Sequence, residues 1–229
     1  MNLLHSINLF IHLSSGTLAT LLGAVCLAGI KGGRWHRRAG RIVIPLAVLV
    51  AATAVVGILL SLSRTALVAV TLSASYQLAG GLRALALKDR KPSSLDVLLA
   101  LLAMGAASLI GIFMGSDNAS FTPVIGYSAL AFVSLVAIYD LGRQRLSLER
   151  WLQIRPLDHG LKMTGFYFAM ISAGAGNLLR GAQPWSGVVP SAIGTLLMVW
   201  FAIRYYPARS KSSPLVSQPE KAVSCDPGA

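Results

Sequence analysis

The chain has 229 residues, with 20 Lys and Arg against 8 Asp and Glu, a formal charge of +12 and a mean hydropathy of +0.66. Hydrophobic residues make up 55% of it and charged residues 12%, about half the charged share of an average soluble domain. These figures exclude a soluble globular enzyme and a disordered chain; two cysteines without CxxC or Cys/His zinc spacing exclude a disulfide or zinc scaffold; what remains is a polytopic helical membrane protein.

A spanning helix needs roughly 20 mostly apolar residues. The sequence supplies seven such runs, at about 7–30, 42–62, 66–87, 95–115, 124–142, 159–180 and 186–206. The runs are continuous rather than alternating, which excludes the strands of a closed barrel. Met1 to Ile7 contain no Lys or Arg, so the first run lacks the positive start of a signal peptide and is expected to stay as the first helix.

That first helix places His12, Gly16, Ala19, Gly23 and Cys26 on one face, at alternating steps of four and three. In lipid, small residues on one face let a neighbouring helix approach closely, so the stripe is expected to be a packing seam. His12 is the deepest histidine within a span. It is a candidate ligand-binding residue together with Gly16, against the plainer reading of a neutral imidazole bonded between helices.

The loop that follows, Lys31 to Arg41, carries two glycines for a tight turn, Trp35 for the headgroup layer, His36 and four arginines. Arg37 and Arg41 are candidate ligand-binding residues, because glycine amides and guanidinium groups favour phosphate. The spacing is not that of a Walker loop. The third run contains Ser75, Tyr76 and Gln77 near its middle; Gln77 is a further ligand-binding candidate, against ordinary interhelical hydrogen bonding.

Asp96, Asp140 and Asp158 fall near the ends of the fourth, fifth and sixth runs, and Asp117 falls in a loop. Arg83, Lys162 and Arg180 are expected to snorkel to the interface. With no carboxylate deep in a span, an ion-coupled carrier is disfavoured. The sixth run sets His159, Met163, Phe166, Met170, Gly174 and Asn177 on one face. From Pro207 the Ser- and Pro-rich segment 207–229 is expected to be a disordered cytoplasmic tail after a transmembrane domain of residues 1–206.

Loops alternate sharply in charge. Eighteen of the 20 cations fall on the side of the first loop, and only Arg64 and Arg180 on the other. The positive-inside rule then puts the N-terminus outside and the C-terminus in the cytoplasm. Topology accounts for the basic charge, so nucleic acid is not an expected partner. The lipid bilayer and anionic headgroups at the cytoplasmic face are, and a membrane-protein partner or homo-oligomer stays open.

Two histidines on different helices could clamp one iron. His5 and His12 share a helix about 10 Å apart and cannot do so. His36 and His159 fall on the same side and could pair around a single haem b. No HExxH, GxSxG or paired-carboxylate motif is present, and no enzyme is expected. The leading expectation is non-enzymatic handling of a small or lipid-like ligand or of a membrane partner, with no cofactor. The alternatives are a haem-binding redox protein and a small-solute transporter.

His12-x3-Gly16-x2-Ala19-x3-Gly23, followed by Lys31-Gly32-Gly33-x2-His36-Arg37-x-Ala39-Gly40-Arg41, resembles a group of uncharacterised bacterial multi-pass membrane proteins with the pattern HxxxGxxALxxG and KGGxxHRxxGR. Tyr76 with Gly81, Arg83 and Ala84, His159 with Met163, and Pro190 are similar to looser features of the same group. Thr20 and Leu82 depart from it. The resemblance implies a multi-helix fold in a bacterial inner membrane and draws attention to His12, His36 and His159. It implies no reaction.

Overall fold

The computed structural model describes residues 3–61, 65–116 and 123–210. Seven α-helices run in chain order: α1 Leu3–Ala28, α2 Arg34–Ser61, α3 Thr65–Ala86, α4 Ser94–Ser116, α5 Pro123–Gly142, α6 Leu148–Leu178 and α7 Trp185–Ser210. Short 3-10 turns at Arg143–Arg145 and Arg180–Ala182 flank α6, and the described residues contain no strand. The all-helical class and the number of helices match the hydropathy pattern, although α3 and α6 are not apolar enough to count among the candidate membrane spans.

Three boundaries differ from it. Helix α2 begins at Arg34, so most of the expected loop is helical, and the turn is confined to Gly29–Gly33, where Gly32 takes a positive φ of 75°. Helix α6 begins at Leu148, eleven residues before its apolar run, because Ser147 caps it by accepting from the Arg150 amide at 3.3 Å. Helix α7 continues to Ser210, and the rest of the expected tail lies outside the described residues, as do Arg64, Asp117 and Cys225.

Helices α1, α2, α4, α5 and α7 are each long and apolar enough to cross a membrane. The more polar α3 and α6 pack on one another; α3 also meets α4 and α5, and α6 meets α7 and α1. Side chains are sorted inside out relative to a water-soluble bundle. The fully buried positions include Ala19, Ala47, Ala69, Ala84, Ala100 and Ala137, while Phe10, Leu21, Leu59, Ile112, Leu135 and Leu196 are exposed. Small residues inside and large aliphatics outside suit helices that approach closely and whose solvent is lipid.

The turns α1–α2, α3–α4 and α5–α6 and the C-terminal part of α7 gather at one end, here the basic end. Lys31 Nζ lies 5.0 Å over the Phe201 ring, Trp151 Nε1 donates to the Arg90 carbonyl at 2.9 Å, and Arg155 donates to the Lys88 carbonyl. At the other end Asn8 Nδ2 donates to the Thr53 carbonyl at 3.0 Å, joining α1 to α2.

Candidate functional site

Inside the basic end, four helices and a turn bring six charges together. Asp96 sits in the first turn of α4, where its carboxylate accepts from the Ser93 amide at 2.7 Å, a capping-box geometry. Arg83 of α3 grips the same carboxylate, with both N···O distances 3.2 Å, and also donates to Ser93 Oγ at 2.9 Å. Asp140 lies in the last turn of α5, Arg143 follows in the 3-10 turn, and Asp158 and Lys162 lie one turn apart on α6.

Arg143 is the hub. Its guanidinium lies 2.7 Å from Asp158, 3.1 Å from Asp140 and 3.5 Å from Asp96. Lys162 Nζ closes a ring, 2.6 Å from Asp140 and 3.0 Å from Asp158. Tyr76 of α3 donates its hydroxyl to Asp140 at 2.7 Å. Trp151, fully buried, stacks under Arg143 at 5.0 Å. Three carboxylates thus face three cations, and all but Arg83 are almost completely withdrawn from solvent. Burying charge is costly unless it is paired, and here the formal sum is zero. The arrangement locks α3, α4, α5 and α6 in one register.

This overturns one expectation. Lys162 does not snorkel: Gly80 leaves room for its chain, and Asp140 and Asp158 hold its ammonium inside the bundle. Asp96, Asp140 and Asp158 are near helix ends as expected, and all three are buried. Asp158 turns to Arg143 and Lys162.

The sequence-derived candidates fall in three places. His12 and Gly16 lie on the α1–α2 seam. His12 Nδ1 is 2.9 Å from Thr53 Oγ1, whose own proton is directed at the Leu49 carbonyl at 2.7 Å, so His12 donates to the hydroxyl. A Cβ built on Gly16 would touch Val50 at 3.8 Å. Gln77 lies on the α3–α6 seam, buried, its Nε2 donating to the Ser73 carbonyl at 3.2 Å and its Oε1 pressed against Gly165 without a hydrogen-bond partner. These are packing positions.

Arg37 and Arg41 occupy a third place. With Arg34 and Arg38 they fall at helical spacing on one exposed stripe along the first two turns of α2. No ion pair to any of the four is formed among the described residues. On the inward side of the same turns Ala39 and Val43 are buried, and His36 Nδ1 reaches back to the Cys26 carbonyl at 3.1 Å. His159 Nδ1 meets the Gly81 carbonyl at 2.9 Å.

Among the described residues no three His, Cys, Asp or Glu side chains are grouped as metal ligands. Compared with known proteins, the chain matches no family model, no curated protein and no solved structure.

Proposed function

We propose that the chain is a multi-pass protein of a bacterial inner membrane that binds a small anionic or lipid-like ligand at its basic end, without chemical turnover. The resemblance of residues 12–41 to an uncharacterised bacterial membrane family supports the location. The split of 18 cations to 2 supports an outside N-terminus and a cytoplasmic basic end.

One observation carries the ligand reading. The basic end holds two kinds of cation. Arg83, Arg143 and Lys162 are matched by Asp96, Asp140 and Asp158. The stripe Arg34, Arg37, Arg38 and Arg41 is exposed and unmatched among the described residues. A bundle that balances its interior charges this fully leaves a surplus aimed at something outside it. At a membrane surface each arginine near anionic headgroups contributes about 1 kcal/mol, and a guanidinium pairs a phosphate through two N–H groups. Trp35, exposed beside the stripe, suits the same depth.

Two measurements test this reading. Single-cysteine labelling in intact cells should protect position 31 and label position 180; the reverse pattern would overturn the orientation. Reconstitution in mixed phosphatidylglycerol and phosphatidylcholine should show the anionic lipid enriched around the wild-type chain. Equal retention of the two lipids would overturn the ligand reading.

A further inference from the structure

Helices α5 and α6 follow one another in the chain, yet their backbones hardly approach. The apolar core of α5, with Leu130 and Val133, is shared with Ala66 and Ala69 of α3 and with Ala103, Ala107 and Met114 of α4. Helix α6 packs elsewhere: Phe166 against Ala47 of α2 and Leu78 of α3, and Trp151 against Ala84 and Leu87. Among the described residues no apolar cluster joins α4 or α5 to α6. Helix α3 is thus a spine with the α4–α5 pair on one side and α6 on the other. At the end opposite the basic one, Ile125 of α5 lies against Gly187 of α7.

At the basic end the tie between α5 and α6 is charge. Asp140 of α5 holds Lys162 of α6 at 2.6 Å, and Arg143, in the turn after α5, holds Asp158 of α6 at 2.7 Å. The four side chains are between 0% and 4% exposed, so no ion larger than a proton reaches them in this arrangement. The ties are also incomplete. Lys162 aims an N–H at Asp158 Oδ2, 3.2 Å away, while Asp158 Oδ1, 3.0 Å from the same Nζ, receives no aligned hydrogen bond. Arg143 Nε lies 3.1 Å from Asp140 Oδ1 without donating to it. A buried ion pair offsets its desolvation only when its hydrogen bonds are complete. Asp158 Oδ1 therefore keeps a buried lone pair with room for a proton. Other groups facing the centre are Tyr76 and Arg83 of α3, Asp96 of α4, Tyr139 of α5 and His159 of α6. The arginines stay charged at every accessible pH, so the carboxylates are where the balance can change.

We propose that this centre is a proton-operated latch: protons taken up on Asp158 Oδ1 and on Asp140 release α6 from α5 at the basic end, and the α4–α5 pair swings away from α6 about α3. Each uptake forms one O–H bond and turns a carboxylate into a neutral acid. Arg143 and Lys162 are then left facing each other as like charges. Loss of the protons restores the pairs, so the latch is closed at neutral pH and opens as pH falls. Arg143 also pairs with Asp96 of α4 and therefore travels with the α4–α5 pair. The apolar packing of α4 and α5 on α3 carries no charge and holds at either pH. The latch goes beyond the lipid-binding reading and does not depend on it, because none of its members belongs to the outward arginine stripe.

The test is a spin-label distance measurement on the full chain in phosphatidylcholine nanodiscs, with Cys26→Ser and Cys225→Ser as background. One label pair, Ile138→Cys with Ile203→Cys, spans from α5 to α7, which packs on α6; a second, Ile138→Cys with Leu98→Cys, lies within the α4–α5 pair, and all three positions are exposed. Double electron–electron resonance is recorded at about pH 7.5 and about pH 4.5, the upper edge of the ordinary carboxylate range. The first distance should lengthen at the lower pH and recover on return, while the second stays fixed. Asp140→Asn/Asp158→Asn/Arg143→Gln/Lys162→Gln removes two charges of each sign and should show one α5–α7 distance at both pH values. If that variant aggregates, Asp140→Asn/Lys162→Met replaces it, and a lengthening smaller than that of the native centre is expected, since one ion pair remains. An unchanged first distance, an equal change in both label pairs (general loosening), or a full response in the charge-neutralised variant would each overturn the latch.

Discussion

Arg143 and Asp158 meet at 2.7 Å inside the bundle, both side chains almost wholly removed from solvent, although one lies in the 3-10 turn after α5 and the other a third of the way along α6. That pair and its neighbours make the basic end a balanced interior of charge surrounded by unbalanced charge.

Removing one member of such a balance leaves an uncompensated buried charge, at a cost of about 3–5 kcal/mol. Arg143→Leu and Lys162→Met are therefore expected to lower the melting temperature in detergent strongly. Lys162→Met combined with Asp140→Asn removes one charge of each sign and should recover much of the loss. Arg83→Ala should cost less than either single change, because Arg83 is 29% exposed and water entering its place can solvate Asp96, which also keeps Arg143. A double variant less stable than Lys162→Met would argue against charge balance as the organising term.

Close helix approach is set by a few glycines. A methyl group on Gly165 would overlap the Oε1 of buried Gln77, and one on Gly194 would press into the Phe168 ring, whereas one on Gly174 would meet nothing within 4 Å. Gly165→Ala and Gly194→Ala are expected to destabilise by about 1–3 kcal/mol, the usual range for overpacking. Gly174→Ala should be neutral or slightly stabilising. Thermal melts of the three variants side by side would decide it; equal melting points would show that these seams do not limit packing.

On the α1–α2 seam, His12 donates to Thr53 Oγ1 at 2.9 Å. Interhelical hydrogen bonds in membranes average only about 0.6 kcal/mol by double-mutant cycles. His12→Ala and Thr53→Val should therefore show a coupling of that size and no more. A coupling several times larger would give His12 a role beyond the seam.

Much of this was legible in the sequence. Continuous apolar runs gave the seven helices, and loop charge gave their grouping at two ends. The His12–Gly23 stripe was recognisable as a seam from its spacing alone. The six-charge network was not. Asp96 and Arg143 are 47 residues apart, and Asp140 and Lys162 are 22 apart, so their meeting depends on how α3 to α6 pack. A local trace did exist: Asp140 and Arg143 are spaced i,i+3, and Asp158 and Lys162 i,i+4, opposite charges at helical intervals bordering apolar runs. The same charges hid the true start of α6, because Glu149, Arg150 and Arg155 interrupt hydropathy without interrupting the helix.

The measurement that bears most directly on the central claim is native mass spectrometry of the chain released from bilayers of mixed phosphatidylglycerol and phosphatidylcholine. The wild type should carry phosphatidylglycerol adducts in excess of its share of the bilayer. Arg37→Ala/Arg41→Ala should lose that excess while keeping the wild-type melting temperature, and Arg83→Ala should keep it. An excess that persists in the double variant, or that is absent from the wild type, would contradict the account.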